Sequence, residues 1–156
     1  MRLSATPRAV MVLAGLLASG CAHDIYQERA DAMKDHVKAF YKHLQADQVA
    51  GATFENEQIE TLAGQIEDAI LRRPQQPSAS EVDRDWMQAK AARETAAENW
   101  LALAKYLVLK KRYDQARGVY QRVLATYTDA RSRAYADQAR AGLRDLDLII
   151  APAKGP

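Results

Sequence analysis

Apolar side chains recur three or four residues apart along nearly the whole of this chain, and no stretch alternates with a period of two. Tyr26, Ala30, Met33, Val37, Phe40 and Leu44 are spaced by 4, 3, 4, 3 and 4. Ile59, Leu62, Ile66 and Ala69 resume the rhythm, as do Tyr113, Ala116, Tyr120, Val123 and Tyr127. Ala136, Ala139, Leu143, Leu146 and Ile150 carry it to the end. This period puts each set on one helical stripe and leaves Glu28, Asp31, Lys34 and Asp35 on the other faces. The expected fold is therefore all-α, about five helices packed as a bundle.

The breaks in the pattern set the boundaries. Residues 46–52 lose the stripe, and Gly51 reads as a helix break, so a second helix is expected over 54–73. Pro74 and Pro77 end it, since proline removes a backbone donor and pushes the residue before it out of the helical region. Ser78 and Glu81 have capping-box spacing, which starts a third helix that runs to about Lys110. Trp86, Arg93, Trp100 and Leu107 fall seven apart, which places both tryptophans on nearly the same side of it. Thr128 and Asp129 supply a turn and an N-cap for the last helix.

The first twenty residues differ from the rest. Arg2 and Arg8 precede an apolar run at residues 9–17, and Ala18, Ser19 and Gly20 lead directly into Cys21. This is the order of a secretory signal segment, and the run is well short of the roughly 20 residues that span a bilayer. Cys21 is the only cysteine, which excludes an internal disulfide and any multi-cysteine metal site. The chain has 22 basic and 20 acidic residues, a formal charge of +2. Both surplus charges reside in Arg2 and Arg8, so the rest is neutral overall and no nucleic-acid partner is expected. The chain divides into a signal segment (1–20), an N-terminal helical hairpin with a proline linker (21–77), a long helix with a second hairpin and a capping helix (78–150), and a tail (151–156).

The stretch Leu17-Ala18-Ser19-Gly20-Cys21 resembles the lipobox of bacterial lipoproteins. That family prefers Leu at the third position before the cut, where this chain has Ala18. The resemblance implies cleavage before Cys21, a diacylglyceryl thioether on its sulfur and acylation of its new amine. Each buried methylene adds about 0.8 kcal/mol, so two or three acyl chains anchor durably. Ala22 rather than Asp follows Cys21, which by the same resemblance implies the periplasmic face of the outer membrane.

Residues 97–130 resemble a tetratricopeptide repeat, a helix–turn–helix unit of 34 residues. Trp100, Leu103 and Ala104 match its first helix, with Leu107 where the family usually has Tyr. Ala116, Tyr120 and Val123 match its second, and Thr128 replaces the closing proline. Ala104 and Ala116 let the paired helices approach, while Trp100 and Tyr120 fill the space beside them. Shifting the register by 34 in either direction gives poor agreement, so one good repeat is expected to pack on the preceding helices. The fifth helix is expected to cap it with a polar outer face. The resemblance implies a partner-binding groove lined by Glu98, Leu101, Lys105 and Val108.

No nucleophile elbow, phosphate loop or zinc-protease signature occurs. His36 and His43 are seven apart and lack a third ligand at metal spacing, so they read as solvated. Glu55, Glu57, Glu60, Glu67 and Asp68 read as a polar helix face. Lys110, Lys111 and Arg112 complement a helix C-terminus, and Arg131, Arg133, Arg140 and Arg144 interleave with Asp137 and Asp145 as a mixed-charge face. No catalytic residue, metal or cofactor is expected. The leading reading is a lipid-anchored, non-catalytic adaptor for an unidentified envelope protein. Two others stand beside it: a structural or stress-related periplasmic lipoprotein without a dedicated partner, and a small-ligand or metal-binding bundle built on His36 and His43.

Overall fold

A computed structural model describes residues 24–73 and 78–151. The signal segment, Cys21, both linker prolines and residues 152–156 lie outside the described residues. Among the described residues five α-helices follow one another: α1 (Ile25–Gln45), α2 (Val49–Arg72), α3 (Ala79–Leu109), α4 (Tyr113–Thr126) and α5 (Arg133–Ile150). A single 3₁₀ turn (Ala130–Ser132) precedes α5, and there is no strand among the described residues. The all-α reading of the periodicity holds.

Local chemistry explains the ends. The Asp24 carboxylate accepts the Tyr26 N–H at 3.0 Å and caps α1. Ser78 and Glu81 form the reciprocal capping box, with Ser78 N–H on Glu81 Oε2 at 3.0 Å and Glu81 N–H on Ser78 Oγ at 3.3 Å. Asp129 accepts the Ser132 N–H at 2.8 Å and starts the 3₁₀ turn. One boundary differs from the sequence reading. Gly51 lies inside α2, which begins at Val49, and no helix break occurs there. A Cβ on Gly51 would stand 2.5 Å from the His43 imidazole, so this glycine permits a close approach of α1 and α2.

The turns that close the first two hairpins are the same turn. In the first, Ala46, Asp47 and Gln48 donate to Lys42, Leu44 and His43 carbonyls. In the second, Lys110, Lys111 and Arg112 donate to Tyr106, Val108 and Leu107 carbonyls, each number higher by 64. Asp47 (φ 56°) and Lys111 (φ 58°) occupy the left-handed region at the middle position. Burial follows the same offset: Phe40, Ala52, Asn56, Ile59 and Ala63 are buried, and so are Ala104, Ala116, Tyr120, Val123 and Tyr127. The α1–α2 hairpin thus repeats the α3–α4 hairpin in its turn and in these five buried positions while sharing little residue identity.

The helices pack in chain order. Each packs on the next, and α3 also touches α1 on one side and α5 on the other, the neighbour-only contact pattern of helical repeats. Alanines at 89, 92, 96, 97 and 104 are buried on α3 and let its neighbours close in. One core runs from Phe40 and Leu44 through Trp100, Leu103 and Leu107 to Tyr120, Val123, Ala139 and Leu146. A smaller one joins Ile59 and Ala63 to Ala92 and Ala96. One stripe of α5 is ion-paired, with Asp137 bridging Arg140 at 2.7 Å and Arg133 at 3.8 Å.

Candidate binding face

The expected repeat core lies where the residue types demand. Trp100, Leu103, Ala104, Leu107, Ala116, Tyr120 and Val123 are all buried between α3 and its neighbours. Trp100 is locked by polar groups as well. Its indole N–H donates to Glu60 of α2 at 2.8 Å, and the same carboxylate accepts the Tyr127 hydroxyl and Arg122, each at 2.9 Å. The Arg122 guanidinium sits 4.2 Å from the Trp100 ring centroid and also bonds Glu57 at 2.9 Å. Burial, with Glu60 beside it, pushes the Tyr127 phenol well above its ordinary value. Glu60 therefore ties α2 to both helices of the second hairpin, instead of serving as part of a solvated face. Trp86, on the same stripe, is 41% exposed because the shared core on α3 ends short of it.

The four expected groove positions separate. Leu101 is 3% exposed and belongs to the core cluster that includes Ala139 and Leu146 of α5, so it lines no open groove. Glu98 accepts the Tyr135 hydroxyl of α5 at 3.4 Å. Glu98 itself stays exposed and meets α5 through Tyr135. Lys105 and Val108 remain accessible and line an open trough of about 490 Å³ with Gln138, Asp145 and Ile149 of α5. Tyr120 and Gly142 form part of its wall. A Cβ on Gly142 would fall 2.3 Å from the Tyr120 ring, so α4 and α5 meet closely there. Burial raises the Tyr120 phenol, with Asp145 acting in the same direction. Lys105 and Asp145 have no ion-pair partner among the described residues and sit in a mostly apolar trough.

The histidines are not free in solvent. His36 Nδ1 is 2.7 Å from Glu55 Oε2, His43 Nε2 is 3.9 Å from Glu55 Oε1, and His43 Nδ1 meets Gln48 Oε1 at 2.7 Å. Both imidazoles clasp one carboxylate at the α1–α2 interface. Among the described residues no group of three His, Cys, Asp or Glu is placed to hold a metal ion. The Lys110–Arg112 turn is bound to its counterpart: Asp47 accepts Tyr106 at 2.8 Å and Arg112 at 2.9 Å. The Tyr106 hydrogen bond, foremost, holds the Asp47 carboxyl below its usual range.

Asp85 was not legible as a site. It is 1% exposed and held by Arg29 at 2.8 Å and Arg73 at 2.7 Å, which fixes the start of α1 and the end of α2 to α3. No described helix is long and apolar enough to cross a membrane. No curated protein and no solved structure matches the chain. The tetratricopeptide-repeat family model matches residues 98–130, about a fifth of the chain, from the last turns of α3 through α4 to the start of the 3₁₀ turn; tetratricopeptide repeats are in general protein-interaction units.

Proposed function

We propose that the chain is a lipid-anchored adaptor of the bacterial envelope, held by Cys21 at the periplasmic face of the outer membrane and binding a partner protein through the trough between α3 and α5. The observation that carries the binding half is the repeat hairpin with an open trough beside it, where Lys105 and Val108 face Asp145 and Ile149. A segment with an apolar face would fill such a trough, and an acid opposite Lys105 and a base opposite Asp145 would fix its register. No catalytic step is assigned, because tetratricopeptide repeats are in general interaction units. The anchoring half is carried by the order of residues 2–21 alone.

Crosslinking in the native cell, followed by identification of what attaches, tests the adaptor role. A single recurrent partner is the expected result, and recovery of the chain alone at native expression overturns it. Cys21→Ser is expected to move the protein out of the membrane fraction; unchanged fractionation removes the lipid anchor.

A further inference from the structure

The α3 residues that share a core with α4 and α5 are confined to 97–108. The earlier turns of α3 therefore overhang, and between them and the turn before α5 lies an open cleft of about 520 Å³. Its lining includes Asp83, Trp86 and Met87 of α3 and Arg131 of the 3₁₀ turn, with Trp86 41% and Met87 65% exposed. Most other charges there are engaged: Arg93 with Glu67, Lys90 with Glu94, and Asp129 with Ser132. The side chains of Asp83, Trp86 and Arg131 have no partner among the described residues. The cleft thus presents one free carboxylate, one free guanidinium and an indole whose N–H is unbonded.

We propose that this cleft binds a small zwitterion, its ammonium held by Asp83 and Trp86 and its anionic group by Arg131. Indole attracts a cation, and the guanidinium fork matches a carboxylate or phosphate better than any other side chain. A ligand of one sign meets a like charge in Asp83 or Arg131, which disfavours it. A zwitterion satisfies both charges, and Met87 gives its methylenes an apolar wall. This site is on a different face from the α3–α5 trough and does not depend on the adaptor role. The same chemistry belongs to the headgroup of a zwitterionic phospholipid and to a free amino acid or dipeptide.

Tryptophan fluorescence of the purified full chain separates the outcomes, since Trp100 is buried and Trp86→Phe removes the reporting ring. The probes are O-phosphoethanolamine, glycine and dialanine, and vesicles of phosphatidylethanolamine with phosphatidylglycerol against phosphatidylglycerol alone. A saturable change is expected with at least one zwitterionic probe, with Asp83→Asn and Arg131→Gln each weakening it about tenfold at unchanged melting temperature. A response to the mixed vesicles but not to glycine or dialanine assigns a lipid headgroup, and the converse assigns a free amino acid or dipeptide. No saturable response to any probe, an unchanged response in both variants, or equal binding of ethanolamine or inorganic phosphate alone overturns the proposal.

Discussion

Trp100 and Glu60 are forty residues apart and joined by an indole N–H donated to a carboxylate at 2.8 Å. The ring itself is 1% exposed, and the carboxylate also serves Arg122 and Tyr127. The link makes the second hairpin and α2 one cooperative unit. A half-buried acceptor with three donors is costly to remove, because each donor is left to find water or go unpaired.

Glu60→Ala is accordingly expected to destabilise the fold by about 2–3 kcal/mol, and Trp100→Ala by about 3–5 kcal/mol. Urea denaturation checks both. The double variant should fall short of the sum, since each single change already breaks the shared contact. Full additivity would show that the hydrogen bond contributes nothing.

Tyr127 makes this unit sensitive to alkali. Its phenol is raised above the ordinary 10.0, first by burial and then by Glu60. A raised folded-state value means that the stabilisation is complete below about pH 10 and is lost as pH rises above it, because only the unfolded state ionises freely there. Stability measured from pH 9 to 12 should therefore decline less steeply in Tyr127→Phe than in the parent. An identical slope would place the alkaline sensitivity elsewhere.

Two helical glycines should respond in opposite directions. Gly142 faces the Tyr120 ring with no room for a Cβ, whereas Gly118 has nothing within 4 Å. Gly142→Ala must displace a ring that is 4% exposed, an overpacking that costs about 1–3 kcal/mol. Gly118→Ala is expected to gain about 0.5–1 kcal/mol through the entropy of the unfolded chain and helix propensity. Melting temperatures of the two variants decide the matter.

How far the residues announce this structure depends on where the aromatics sit. The α3–α4 hairpin is readable because Trp100 and Tyr120 stand beside Ala104 and Ala116 at family positions. The α1–α2 hairpin places His36, Phe40, Asn56 and Ala63 where the second has Trp100, Ala104, Tyr120 and Tyr127, so bulk is redistributed and the pattern vanishes. Its offset is 64 rather than 34 because α2 and α3 are long, with 24 and 31 residues. Gly51 misled for a related reason: a glycine tolerated for a close helix crossing has the same letter as one that ends a helix. Which of the expected groove positions stay open was not readable. Lys105 and Val108 remain open, but whether α5 would cover Leu101 depends on its crossing of α3, which periodicity does not encode. Ion pairs such as Arg122 with Glu57 and Glu60 join residues 65 and 62 apart, beyond any local pattern.

The trough makes a prediction that separates binding from stability. Lys105 is exposed and Ile149 is 52% exposed, so Lys105→Glu and Ile149→Asp leave the core intact and should change the melting temperature little. Each should abolish the crosslink to the native partner, the first by reversing a charge and the second by wetting the apolar wall. Arg144→Ala, an exposed position on the same helix that does not line the trough, is the control and should leave the crosslink as it was. Loss of the crosslink in all three variants would point to a contact spread over α5. Its retention in both trough variants would move the partner to another face of the protein.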